Sequence, residues 1–190
     1  MAEDHGGGQM HRSTAMLYRT TFSYVFLYTL YDSLFAYRDI FPVLRNPPVF
    51  KDLIDLLISA VTESVPDAQC IVGLESRGFL FGPILAEQLN IPFVPIRKKG
   101  KLPGEILSVT YELEYGSDTF EAQSNSVAEG AKVVIVDDLL ATGGTMKAAC
   151  DLMVKLKAQV CLCLVVIELP SLKGRDKVSY PVKSLITFTD

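Results

Sequence analysis

Along most of the chain, short apolar runs alternate with stretches in which apolar residues recur at helical spacing. Phe50, Leu53, Ile54, Leu57, Ile58 and Val61 recur every three or four residues, which predicts an amphipathic helix. Asn46-Pro47-Pro48 suits its entry, because proline fits a first helical turn and asparagine can cap it, and Pro66 closes it. Cys70–Leu74 is apolar and of strand length, residues 78–89 return to helical spacing, and 93–96 read as a strand. Residues 107–115 alternate, with Val109, Tyr111, Leu113 and Tyr115 on one face and Thr110, Glu112 and Glu114 on the other. Residues 118–123 supply a hairpin partner across Gly116-Ser117. Val133-Val134-Ile135-Val136 is apolar on both faces, as in a parallel sheet, and a helix over 145–156 and a strand over 160–167 follow. The expected fold is α/β: a parallel sheet flanked by helices, with a small antiparallel excursion.

The first 35 residues break this rhythm. Residues 1–15, polar and containing Gly6-Gly7-Gly8, are expected to be disordered. Residues 17–35 are aromatic and apolar, but their longest uncharged run, residues 20–31, falls short of the roughly 20 residues of a spanning helix. Arg12 and Arg19 precede this stretch as in a leader, yet no small-residue cleavage site follows. The segment is expected to pack on the domain or to be an atypical start, with the domain proper over 36–190.

Composition narrows the chemistry. A chain of 190 residues, 49% hydrophobic and 21% charged, is enough for one soluble domain with its own core. A formal charge of -4 excludes a general attraction to nucleic acid, so an anionic ligand needs a local basic feature. The two histidines, His5 and His11, lie near the start, which leaves carboxylates, Lys, Arg and backbone dipoles for chemistry in the body of the protein. Cys70, Cys150, Cys161 and Cys163 read as small buried thiols, with Cys161 and Cys163 sharing a strand face and no ligands at zinc spacing.

The most informative stretch is VVIVDDLLATGGT, residues 133–145. A buried strand runs into Asp137 and Asp138, and a Thr/Gly loop, Ala141-Thr142-Gly143-Gly144-Thr145, leads into a helix. Such a turn can aim amides and hydroxyls at an anion at the helix start, and ligands of α/β sheets bind at the carboxyl ends of strands. It has the spacing of neither a P-loop nor a dinucleotide loop. Two acids beside a phosphate would repel it unless they faced something else, such as sugar hydroxyls or the water shell of Mg²⁺. Glu75-Ser76-Arg77-Gly78 forms a second strand-end turn, in which Arg77 can offer paired hydrogen bonds to phosphate. Arg97, Lys98, Lys99 and Lys101 place four positive charges within five residues, and Gly100 and Gly104 flank Lys101-Leu102-Pro103, as in a mobile basic loop.

In these motifs the chain resembles the type I phosphoribosyltransferases, and among them the adenine phosphoribosyltransferases. The matching pieces are YRDI (37–40), GLESRGFLFGP (73–83), RKKGKLPGE (97–105), LEYG (113–116), VDDLLATGGT (136–145) and ELPSLKGR (168–175). The resemblance implies transfer of the phosphoribosyl group of phosphoribosyl pyrophosphate to adenine, with Mg²⁺, by a cytoplasmic homodimer. It implies that Glu75, Ser76, Arg77, Arg97, Lys98, Lys101, Asp137, Asp138 and Ala141 to Thr145 hold phosphoribosyl pyrophosphate. Glu114, Arg77 and Lys101 would be catalytic, and Tyr37, Arg38, Glu114 and Leu169 would hold adenine. No protein side chain is expected to ligate the metal directly; water would link it to Asp137 and Asp138. A non-proline cis peptide is expected at Glu75–Ser76. The family's Pro/Gly-rich loop over the base is replaced here by Tyr31-Asp32-Ser33-Leu34-Phe35-Ala36. That departure leaves two alternatives: selectivity for another base, or a weakly active or non-catalytic form that still binds phosphoribosyl pyrophosphate.

Overall fold

The structure, a computed structural model, describes residues 40–112 and 116–188. The readings for residues 1–39, including the 35/36 boundary, Tyr37 and Arg38, and that for Glu114, lie outside the described residues. Contacts divide the chain at Asp55/Leu56 into two units. In the first, a short helix α1 (Phe41–Leu44) precedes α2 (Pro47–Ser64), which runs on into the second unit. Asn46 sits at the α2 entry as expected, its side-chain oxygen accepting a long 3.5 Å bond from the Val49 amide.

The second unit contains a seven-stranded sheet in the order β3-β4-β2-β1-β5-β6-β7. The strands are β1 (Cys70–Leu74), β2 (Phe93–Lys98), β3 (Ile106–Glu112), β4 (Ser117–Gln123), β5 (Lys132–Leu140), β6 (Gln159–Glu168) and β7 (Val182–Thr187). Strands β2, β1, β5, β6 and β7 pair in parallel, whereas β4 pairs antiparallel with β2 and β3. The chain runs from β1 to β2 on one side and returns to β5 on the other, so the order reverses between β1 and β5. A crevice opens at such a reversal, beyond the carboxyl ends of both strands.

Burial explains the strand assignments. All five residues of β1 are buried, as are Val133 to Val136 at the centre of β5, which is what helices on both faces demand. Strand β3 keeps the predicted alternation: Leu107, Val109 and Tyr111 pack against the core while the intervening residues face solvent. That inner face meets α4 (Gly144–Lys155), whose buried residues include Met146, Ala149 and Leu152.

Four readings need correction. The expected helix over 78–89 is a 3-10 turn (Arg77–Leu80) followed by α3 (Gly82–Leu89). Pro83 in the first turn of α3 has no amide to continue a helix from the preceding turn. Strand β5 does not stop at the acids but runs to Leu140, because β6 keeps pairing with it through Leu140↔Glu168. The two cysteines of the C-x-C motif are not equivalent: pairing shifts register at Cys161, which stays partly exposed while Cys163 is buried. Strand β7 was missed, since its half-buried side chains show neither alternation nor a continuous apolar run.

Among the described residues no helix is long and apolar enough to cross a membrane. Ile135 is fully buried at the centre of the sheet. Ile135→Ala is expected to lower stability by about 2–5 kcal/mol. Urea denaturation should show this as a lower midpoint with an unchanged slope.

Candidate active site

The β1–β5 crevice is an open cavity of about 600 Å³. Its floor is the loop after β5, where Leu140, Ala141, Thr142 and Gly143 lead into α4. Gly143 has φ +78°, a left-handed conformation that glycine adopts without strain, and no side chain caps the helix start. The first amides of α4 are therefore left for a ligand, and the helix dipole favours an anion there.

The facing wall is the turn after β1. The Glu75–Ser76 peptide is cis, as expected, and Glu75, Ser76 and Arg77 all line the cavity. Gly78 makes this turn fit: a Cβ there would lie 2.4 Å from the Val136 carbonyl oxygen, so the turn rests directly on β5. Strand β1 stops pairing with β5 at Val136, so Asp137 and Asp138 extend past it on a strand edge that only β6 still covers.

Those two acids have different surroundings. Asp138 is 4% exposed; its Oδ2 accepts a 2.5 Å bond from Arg77 Nε, and its Oδ1 is buried without a hydrogen-bond partner. Asp137 lies on the cavity wall, and one of its oxygens accepts the Asp138 amide at 3.0 Å. Burial, and next the charge of Asp138, push the Asp137 carboxyl up to about 8. The repulsion expected between two acids and a phosphate is thus eased twice: Asp137 is pushed towards its neutral form, and Asp138 is matched by a guanidinium.

A second charge cluster closes the rim. Glu75 accepts bonds from the Lys98 amide at 2.8 Å, Lys101 Nζ at 2.8 Å and Arg97 Nε at 3.3 Å. Its burial opposes the charge, but these donors prevail and hold its carboxyl at about 2. Lys98 Nζ also lies 3.0 Å from Asp118, and that partner, ahead of the opposing burial, lowers the Asp118 carboxyl. Burial, followed by the charge of Asp118, pushes the Tyr111 hydroxyl up to about 12. Gly100, inside the basic loop, donates its amide at 2.8 Å to Glu121, which is 3% exposed.

The structure brings together Glu75, Ser76, Arg77, Lys98, Lys101, Asp137, Ala141, Thr142, Gly143 and Thr145 on one cavity. Among the described residues, four predicted ones do not line it. Asp138 sits behind the wall against Arg77, Arg97 braces Glu75, and Gly144 begins α4. Leu169 follows β6, and its amide pairs with the Leu140 carbonyl at 2.9 Å. Tyr111, Asp118, Phe120 and Met146 line the cavity without having been predicted. The alternation of β3 marked Tyr111 as inward-facing; nothing local marked Asp118, which depends on how the hairpin lies over α4.

Residues 43–189 match the family model of the phosphoribosyl transferase domain. The chain is 53% identical over 152 residues to the adenine phosphoribosyltransferase of Drosophila pseudoobscura pseudoobscura, covering 80% of this chain and 84% of that protein. It is 50% identical to adenine phosphoribosyltransferase 1 of Saccharomyces cerevisiae, over 79% and 81% of the two chains. Its fold superimposes with a TM-score of 0.76 on the crystal structure of the Saccharomyces cerevisiae adenine phosphoribosyltransferase complexed with an imino-altritol bisphosphate and adenine, at 51% identity over 78% of this chain and 85% of that one. A Trypanosoma brucei adenine phosphoribosyl transferase in complex with AMP, pyrophosphate and ribose-5-phosphate gives a TM-score of 0.72 at 30% identity, covering 78% of this chain and 68% of that one.

The raised Asp137 carboxyl has a consequence for stability. Because the folded protein holds this proton more tightly than the unfolded chain, the group favours the fold below about pH 4. That contribution is lost as the pH rises towards about 8. Asp137→Asn removes the penalty, so the variant is expected to melt above the parent at pH 8, with the gap closing by pH 4. A melting difference that stays constant across this range would contradict the assignment.

Proposed function

The chain belongs to the phosphoribosyltransferase family, and from that premise we propose that it transfers the 5-phosphoribosyl group of phosphoribosyl pyrophosphate to adenine, giving AMP and pyrophosphate. The observation that carries the reading is the cavity itself. An uncapped helix start with its glycine loop, Arg77, two lysines of the basic loop and Asp137 all line it. That set of features suits a ligand that carries a phosphate, hydroxyls and a diphosphate.

In this reading the amides of residues 141–145 hold the 5-phosphate. Asp137, on the cavity wall, takes ribose hydroxyls, and Asp138 joins it once Arg77 turns to the diphosphate and uncovers the buried, unpartnered Oδ1. Cleavage of the bond from ribose C1 to oxygen builds positive charge on the sugar and negative charge on the leaving diphosphate. Arg77, Lys98 and Lys101 stabilise the leaving charge, and a basic loop drawn over the site excludes water from the sugar cation. To do so, Arg77 exchanges Asp138, and Lys101 exchanges Glu75, for diphosphate oxygens.

By the resemblance, the base half of the site is assigned to Tyr37 as a stacking surface, to Arg38 and Leu169, and to Glu114 as the group that handles the proton of adenine. Among the described residues no group of three or more His, Cys, Asp or Glu could hold a metal ion. By the resemblance, Mg²⁺ would be held mainly by the substrate, through water to Asp137 and Asp138, and would supply positive charge at the diphosphate oxygens. The same reading takes the protein to be a cytoplasmic homodimer acting on small molecules, with the domain spanning 36–190.

The direct test is AMP formation by the purified protein supplied with adenine, phosphoribosyl pyrophosphate and Mg²⁺; pyrophosphate release with another base but not with adenine would reject the assignment. Glu114→Ala is expected to lower turnover by about 10²-fold or more, the range of a lost acid–base group, and Asp138→Asn to lower it by up to about 10²-fold through lost positioning of the ribose. Lys99→Ala, a substitution outside the cavity lining, should be milder. Near-parental rates for the first two would overturn the roles given to them.

A further inference from the structure

The loop after β5 has a cavity on one side and another stretch of backbone on the other. Ala141, Thr142 and Gly143 line the cavity. Behind them lies Gly174, a buried glycine in the turn that follows β6. A Cβ on Gly174 would fall 2.0 Å from the Ala141 carbonyl oxygen and 2.8 Å from the Gly143 nitrogen. A Cβ on Gly143 would fall 2.1 Å from the Gly174 carbonyl oxygen. Both neighbours are main chain, so neither contact can be relieved by turning a side chain aside.

This second turn is itself fastened. Arg175 donates from Nε to Glu168 Oε1 at 2.8 Å and from Nη2 to Oε2 at 2.5 Å, a paired arrangement that fixes direction as well as distance. Its Nη1 reaches the Val182 carbonyl at 2.8 Å, and Ser184 Oγ donates to Glu168 Oε2 at 2.7 Å, so β7 holds the pair from the far side. Glu168 is 5% exposed and lies in register with Leu140, the residue that precedes the loop. The turn is therefore tied to the sheet at the point where the loop departs from it.

We propose that Gly174, held by the Glu168–Arg175 pair, is a positioning residue for the phosphate loop and sets how far its amides reach into the cavity. It touches no substrate. Its absent side chain lets the loop settle back against the turn, and the ion pair keeps the turn from retreating. The proposal rests on the reading of residues 141–145 as the 5-phosphate site and adds to it what holds that site in place.

Ribose 5-phosphate is the probe, titrated calorimetrically into the full-length protein, with melting curves recorded on the same samples. Gly174→Ala must displace the loop by about 1 Å, and a misplacement of that size can weaken function by up to about 100-fold. The expected result is a loss of ribose 5-phosphate affinity of at least about tenfold, with KM for phosphoribosyl pyrophosphate rising alongside while KM for adenine stays within twofold. Arg175→Lys keeps the charge but loses the paired geometry, and it should show the same selective pattern in weaker form. It remains decisive if Gly174→Ala fails to fold. Parental ribose 5-phosphate affinity in the folded variants would overturn the proposal, as would equal losses for both substrates. A parent protein that binds no ribose 5-phosphate would instead remove the phosphate-site reading beneath it.

Discussion

A crevice lined with both acids and cations must balance its own charges, and that constraint organises this structure. Asp138 and Glu75, nearly buried, cannot sit ionised and alone, and half-exposed cations stand within reach of them. The protein pairs them with each other. Arg77 takes Asp138, Lys101 and Arg97 take Glu75, Lys98 takes Asp118, and Asp137 is pushed towards its neutral form. Each partner is the kind a ligand can displace, since phosphate offers a cation what a carboxylate does. The backbone makes these exchanges possible: β5 outruns β1 by enough to carry its acids to the mouth of the crevice.

Much of this was legible in the sequence. The parallel sheet, the hairpin and the helices followed from period and burial alone, because fully buried strands and half-buried strands leave different apolar patterns. The loop after β5 was legible because acids, small residues and a helix start fall together in one short stretch. What was hidden depended on residues far apart in the chain. Nothing near Arg77 says that its partner is Asp138, 61 positions later, and nothing near Glu75 says that it gathers the basic loop. Asp118 and Glu121 looked like ordinary strand-face acids until the hairpin's position was known. Gly174 showed only as one letter in a motif, because its role is to have no side chain where two backbones meet.

The extent of β5 and the inequality of Cys161 and Cys163 have one cause. Local pattern cannot report a neighbour's pairing, and β6 both prolongs β5 and slips register against it. The helix break before Pro83 was visible in principle, since a proline so close after a strand leaves room for only a tight turn. It was overlooked because apolar spacing continues through it.

One detail of the basic loop determines how that loop is able to travel. The amide of Gly100 is fastened to Glu121, a carboxylate sunk in the sheet, and the Pro103 carbonyl accepts a bond from Gln123 Nε2 at 3.1 Å, so β4 holds the loop at both ends. Only Lys101 and Leu102 stand between the two anchors. The loop cannot leave its place without releasing one of them. Anything that draws it across the crevice must compete with Glu121 or Gln123 as well as with Glu75.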